Sequence, residues 1–140
     1  MGIKIRRRIN LDKNARDIRG NLTRALEAAL IDEATEISQR TRDGKTITGK
    51  DFKEYSEGYA KFKTKRGRNL RPDLTFTGNM LASIASNVKQ LKDKIQGKIF
   101  FSSAKEAEKA GFNQALRPFF GLSAKQVARI KQKLKEALRK

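Results

Sequence analysis

Apolar residues recur along this chain with two different periods, and the changes of period mark its elements. At the start, "IKIRRRINL" places Ile3 and Ile5 on one face, and Ile9 and Leu11 resume it. A period of two predicts a strand over 3–11 with one wet, basic face. Arg6, Arg7 and Arg8 interrupt the alternation, which predicts an edge position. The period then lengthens. Ile18, Leu22, Leu26, Ala29 and Ile37 fall at helical spacing, with Ala25, Leu30 and Ala34 widening the stripe. Asp12 is placed to cap this helix, which should run over about 13–43 despite Gly20. Gly44 should end it as the residue after the cap, with Arg40 and Arg42 at the negative end of the dipole.

Shorter elements follow. "KTITGKDF" reads as a loop, and "YSEGYAKFKTKRG" as a short helix with Tyr55, Tyr59 and Phe62 on one face, expected to pack in the core. A basic loop is predicted over about 61–73, and Thr77 is placed to cap a turn through "GNMLASI". Two alternating runs around "KDK" predict an antiparallel hairpin over about 84–102, with Ile95, Gly97, Ile99 and Phe101 facing inward. Ser103 and Glu106 have capping-box spacing, and Ala104, Ala107, Ala110 and Gly111 form a small-residue stripe suited to lying close on a sheet. Pro118 stops that helix. Ser123 and Gln126 open a last one over about 123–139, with Val127, Ile130, Leu134 and Leu138 as its apolar stripe. Helices with an antiparallel sheet and no βαβ rhythm indicate α+β: a long N-terminal helix and C-terminal helices packed on a small antiparallel sheet. At 140 residues the expectation is one domain, 1–140.

Composition narrows the chemistry. The chain has neither Cys nor His, which removes thiolate nucleophiles, Cys-based zinc sites and the commonest general base. No enzyme activity, cofactor or metal is expected. Against 15 Asp and Glu stand 33 Lys and Arg, a net charge of +18 that draws in polyanions and opposes compaction of the free chain. "MGIKIRRRIN" has no apolar core of a signal peptide, and no run approaches the roughly 20 apolar residues of a membrane span, so assembly inside the cell without a membrane partner is expected.

Four patterns bear on chemistry. Gly44, Gly49 and Lys50 match G-x-x-x-x-G-K, but Asp51 stands where a phosphate-binding loop needs Ser or Thr, and the segment leaves a helix; a glycine cap plus a turn is the reading. Lys61, Lys63, Lys65, Arg66, Arg68 and Arg71 crowd six cations into eleven residues, a candidate polyanion contact. The outer face of the last helix carries Lys125, Arg129, Lys133 and Arg139, read as a solvated basic face. Asp32, Glu33 and Glu36 fit surface pairing with Arg40 and Arg42 and offer no catalytic carboxylate pair.

Three segments in order, "GKDFKEYSEGYAKFK", "PDLTFTGNMLASI" and "RPFFGLS" before an amphipathic helix, carry a resemblance. Phe52, Tyr55, Ser56 and Tyr59 give an F-x-x-Y-S-x-x-Y element, and Leu74, Thr77, Gly78 and Met80 an L-x-x-T-G-x-[LM] element. Arg117, Phe119, Phe120, Gly121, Leu122 and Ser123 give R-x-F-[FL]-G-L-S. The set resembles the virion morphogenesis (tail completion) proteins of tailed bacteriophages, within the neck and head–tail joining group.

The resemblance implies a non-catalytic subunit without cofactor. It would form a cyclic homo-oligomer of about six or twelve copies at the head–tail joint of the virion, assembled in the host cytoplasm. Portal, adaptor, stopper or tail-tube proteins would be its neighbours, and genomic DNA would pass through the channel. On this reading Thr77 and Gly78 turn the chain, and Met80 anchors the turn. Pro118 breaks a helix, Phe119 and Phe120 plug core or interface, and Ser123 caps the next helix. Arg6–Arg8 and the cations from Lys61 to Arg71 would face DNA or acidic neighbours. The alternative reading is a basic, non-specific nucleic-acid-binding protein.

Overall fold

The computed structural model describes residues 2–6, 13–54, 56–67 and 78–139. In chain order the elements are β1 (Gly2–Arg6), α1 (Lys13–Arg42), α2 (Glu57–Lys65), α3 (Asn79–Ala82), β2 (Ile84–Gln90), β3 (Lys94–Phe101), α4 (Ala104–Leu116) and α5 (Ala124–Leu138). A long N-terminal helix, C-terminal helices and a small antiparallel sheet make this an α+β fold. The strand order is β1-β3-β2, which puts β1 at an edge. The chain groups into two compact units: Met1–Ala34, Ala85–Phe100 and Leu122–Lys140 form the first, Thr35–Ile84 and Phe101–Gly121 the second.

The first unit is built on the apolar face of β3. Ile95, Gly97 and Ile99 are buried while Lys98 and Phe100 are exposed, the alternation a one-sided sheet requires. The early half of α1 presents Leu22, Leu26, Ala29 and Leu30, all buried. The backbone at Gly97 sits so close beneath this helix that an added Cβ would lie 2.5 Å from Leu30 Cδ1 and 3.1 Å from Leu26 Cδ2. Glycine is what lets the two elements approach. Strands β2 and β3 turn at Leu91, whose N–H bonds the Lys94 carbonyl at 2.7 Å, and Arg19 of α1 holds the turn through the Leu91 and Lys92 carbonyls.

Helix α5 starts on a complete capping box: Ser123 Oγ accepts from the Gln126 N–H at 3.2 Å, and Gln126 Oε1 accepts from the Ser123 N–H at 2.9 Å. Its buried residues are Gln126 and Ile130. It is tied to α1 by an arrangement that corrects the expected surface pairing. Glu33 is buried rather than exposed, and its partner is Arg129, which donates Nε to Oε1 at 3.0 Å and Nη2 to Oε2 at 3.3 Å. Lys133 pairs with Asp32 at 2.9 Å. Two of the four cations assigned to a solvated face therefore bind α1.

In the second unit, α1 ends as its sequence predicts. Gly44 has φ 75°, its N–H bonds Thr41 O at 2.9 Å, and Lys45 N–H bonds Arg40 O at 3.0 Å. Together these close a Schellman motif. The chain then folds back on itself, with Thr46 N–H on Lys50 O at 2.7 Å, Phe52 N–H on Gly44 O at 2.8 Å, and Gly49 at φ 86° in the turn. No strand leads into this loop, so the G-x-x-x-x-G-K pattern is a helix stop and a turn. Helix α4 departs from expectation: Ala104, Ala107 and Gly111 are exposed and only Ala110 of the stripe is buried. It packs on α3 through Ala110, which is buried in one cluster with Met80 and Leu81. Small residues permit close approach but do not select the face that makes it.

Candidate functional site

One cluster in the second unit joins the three segments on which the resemblance rests. Phe52, Met80, Leu81, Ala110 and Phe119 are buried together, with Ile84, Phe101 and Phe120 packed against them. Phe52 comes from the first segment, Met80 from the second and Phe119 from the third. Gly78 starts α3 at φ 78°, a left-handed conformation that favours glycine, with no side-chain cap. The three rings Phe101, Phe119 and Phe120 form a tilted stack, Phe101 and Phe120 closest at 4.7 Å between centroids. Phe119 is wholly buried, whereas Phe120 is only partly so.

The backbone of 117–121 is held by side chains from distant parts of the same unit. Arg117 donates Nε to Lys53 O at 2.8 Å and Nη2 to Glu54 O at 3.0 Å. Arg40 Nη2 reaches Phe119 O at 2.9 Å and Gly121 O at 3.0 Å. Gln114 Oε1 accepts from the N–H groups of Phe119 at 3.2 Å and Phe120 at 3.0 Å, and its Nε2 donates to Phe120 O at 3.1 Å. Ile47 N–H bonds Pro118 O at 3.0 Å, and a Cβ on Gly121 would lie 2.6 Å from Ile47 Cδ1. An irregular segment with a buried ring needs such partners, because its own backbone groups have no ladder to join. Gln114 and Arg40 carry no signature in the sequence; only folding brings them to the loop.

The basic segment differs from its predicted form. The short helix expected here is α2, but it runs on through 61–65, the first residues of the expected basic loop, and Ser56 caps it by accepting from Tyr59 N–H at 3.3 Å. Lys63 is 1% exposed and is not a surface contact. Lys61 pairs with Glu57 one turn back at 3.2 Å, and Arg66 lies over the Phe62 ring at 5.1 Å. Lys65 is exposed. Helix α2 also reverses the expected direction of its aromatic face. Tyr59 and Phe62 stack with centroids 6.2 Å apart, at 38% and 42% exposure, instead of entering the core. Helical spacing fixes which residues share a face, while the packing partner decides which face turns inward.

Arg7, Arg8, Tyr55, Arg68, Arg71, Leu74 and Thr77 lie outside the described residues, as does the Asp12 cap. Arg6 ends β1, opposite Lys94.

Among the described residues Phe112 on α4 is the most exposed large apolar side chain at 73%, and Leu116, one turn on, stands at 58%, as does Ile31 on α1. The signal was present in the sequence, since the pair is spaced i, i+4 on the side of the helix away from Ala110. Among the described residues, no three carboxylates stand close enough to hold a metal ion, and no helix is long and apolar enough to cross a membrane. No protein-family model, curated protein or solved structure matches the chain.

Proposed function

We propose that the protein is a structural subunit of a tailed-bacteriophage particle, forming a ring at the head–tail joint in a neck or tail-completion role. The observation that carries this reading is the common core of Phe52, Met80 and Phe119, which draws one residue from each of the three family-like segments. A ring also needs two different surfaces on each copy, because only a heterologous contact closes a cycle of more than two. Among its described residues the second unit has two exposed apolar patches, Phe112 with Leu116 on α4 and Tyr59 with Phe62 on α2. Aromatic anchors of this kind are enriched in interfaces between proteins. Neighbouring portal, adaptor, stopper or tail-tube rings would supply the acidic surface or DNA that balances the positive charge.

Sedimentation velocity and negative-stain imaging test the reading. The wild type should form a closed multimer, and F112D/L116D should disperse it while keeping the same melting curve, since both side chains are largely solvated. A protein monomeric at every concentration and missing from purified particles would overturn it.

A further inference from the structure

The open face of the sheet in the first unit is a surface whose residues no sequence pattern had brought together. With Leu91 opposite Lys94 at the turn and Ser83 opposite Ser102 at the far end, Lys89 falls opposite Gln96. On the other side of β3 the register places Lys4 opposite Gln96 and Arg6 opposite Lys94. Directly opposed residues of antiparallel strands share a face. The face away from α1 therefore gathers five cationic positions, Lys4, Arg6, Lys89, Lys94 and Lys98, around Gln96. No Asp or Glu occupies any position of that face in the three strands. Lys89, Lys94 and Lys98 make no ion pair among the described residues. The first unit as a whole carries 19 Lys and Arg against 7 Asp and Glu, +12 of the chain's +18.

We infer that this sheet face binds the backbone of a single-stranded nucleic acid, independently of any ring. Three features choose that occupant. Lysine is depleted from the cores of protein–protein interfaces, so a lysine-dominated face fits phosphate better than an acidic protein. The outer strands of a three-stranded sheet lie about 10 Å apart before side chains are counted. The major groove of a duplex, about 12 Å wide, admits only a helix or a two-stranded ribbon. Exposed Phe100 stands on the same face as Lys98, where it offers one base a stacking surface beside the cations. Lys94 to Lys98 spans about 14 Å along β3, a line on which one strand can lay successive phosphates.

Fluorescence anisotropy with a labelled oligothymidylate of about 20 nucleotides tests this. The wild type should bind with affinity falling as salt rises. K89Q/K94Q/K98Q should flatten the log–log salt slope by about 2, whereas K125Q/K131Q/K135Q, an equal loss of charge on α5, should change it less. F100A should weaken single-strand binding by roughly 5- to 100-fold and leave duplex binding unchanged. On the unmutated protein, the oligonucleotide should protect Lys89, Lys94 and Lys98 from acetylation more than Lys125 and Lys131. Equal slopes for the two triple variants, tighter binding of a duplex, or equal displacement by polyglutamate of the same charge would overturn the inference. A multimer that binds no oligonucleotide would sink this proposal and leave the ring reading standing.

Discussion

Phe119 and Phe120 are neighbours in one motif but have different structural roles. Phe119 is wholly buried in the cluster with Phe52 and Met80, whereas Phe120 lies at its margin against Phe101. Truncating a buried ring removes its transfer energy and leaves a cavity, so F119A should cost about 3–5 kcal/mol. F120A should cost clearly less, about 1–2 kcal/mol, because part of its surface already meets water. Urea denaturation of both variants measures the difference, and equal losses would mean the burial contrast is wrong. Gly97 gives the opposite kind of prediction. Ala at this position drives a methyl into Leu30, itself fully buried, and overpacking of this kind costs about 1–3 kcal/mol. Neither effect is written in the residue's own identity. Phe119 and Phe120 look alike in the sequence, and Gly97 reads only as a gap in a strand until the helix above it is placed.

At the scale of elements, the ties between α1 and α5 decide more than their caps. Arg129 holds the buried carboxylate of Glu33 with two hydrogen bonds, and Gln126, also buried, donates to the Glu33 carbonyl at 3.4 Å. Removing one partner of a buried pair strands the other charge. R129M should therefore destabilise the fold by about 2–3 kcal/mol, short of the full cost of a wholly buried pair because the guanidinium is partly solvated. K133M, which frees only exposed Asp32, should stay within about 0.5 kcal/mol. Thermal melts of the two variants compare them directly. Element existence and boundaries were largely legible: α1, the hairpin and α5 lie within a few residues of where period, glycine and capping signals put them. What was not legible is orientation. Helix α2 turns Tyr59 and Phe62 outward and Lys63 inward, and α4 shows its small residues to solvent. In both cases the sequence specifies faces, and the partner that buries one of them comes from far along the chain.

For the whole molecule the governing quantity is +18, and it is unevenly spread. The first unit carries +12 and the second +6 (14 Lys and Arg against 8 Asp and Glu). Self-repulsion of that size opposes the compact state and is screened by salt. The melting temperature should rise between about 20 and 500 mM NaCl, the longer-range part of the repulsion being screened beyond roughly a Debye length. A flat or falling curve would mean that ion pairs such as Arg129–Glu33 outweigh the net charge. The sequence by itself determined the element types, the α+β class, the excess of positive charge and the loss of His and Cys chemistry. These follow from local periodicity and from sums over residues, which need no knowledge of who meets whom. The tertiary structure alone decided that Lys63 is buried and that Arg40 and Gln114 hold the Phe119 loop. It also decided that Lys89, Lys94 and Lys98 share a face with Lys4 and Arg6. Such facts depend on contacts between residues tens of positions apart, and those contacts are chosen by the packing energy of the whole chain rather than by any local preference.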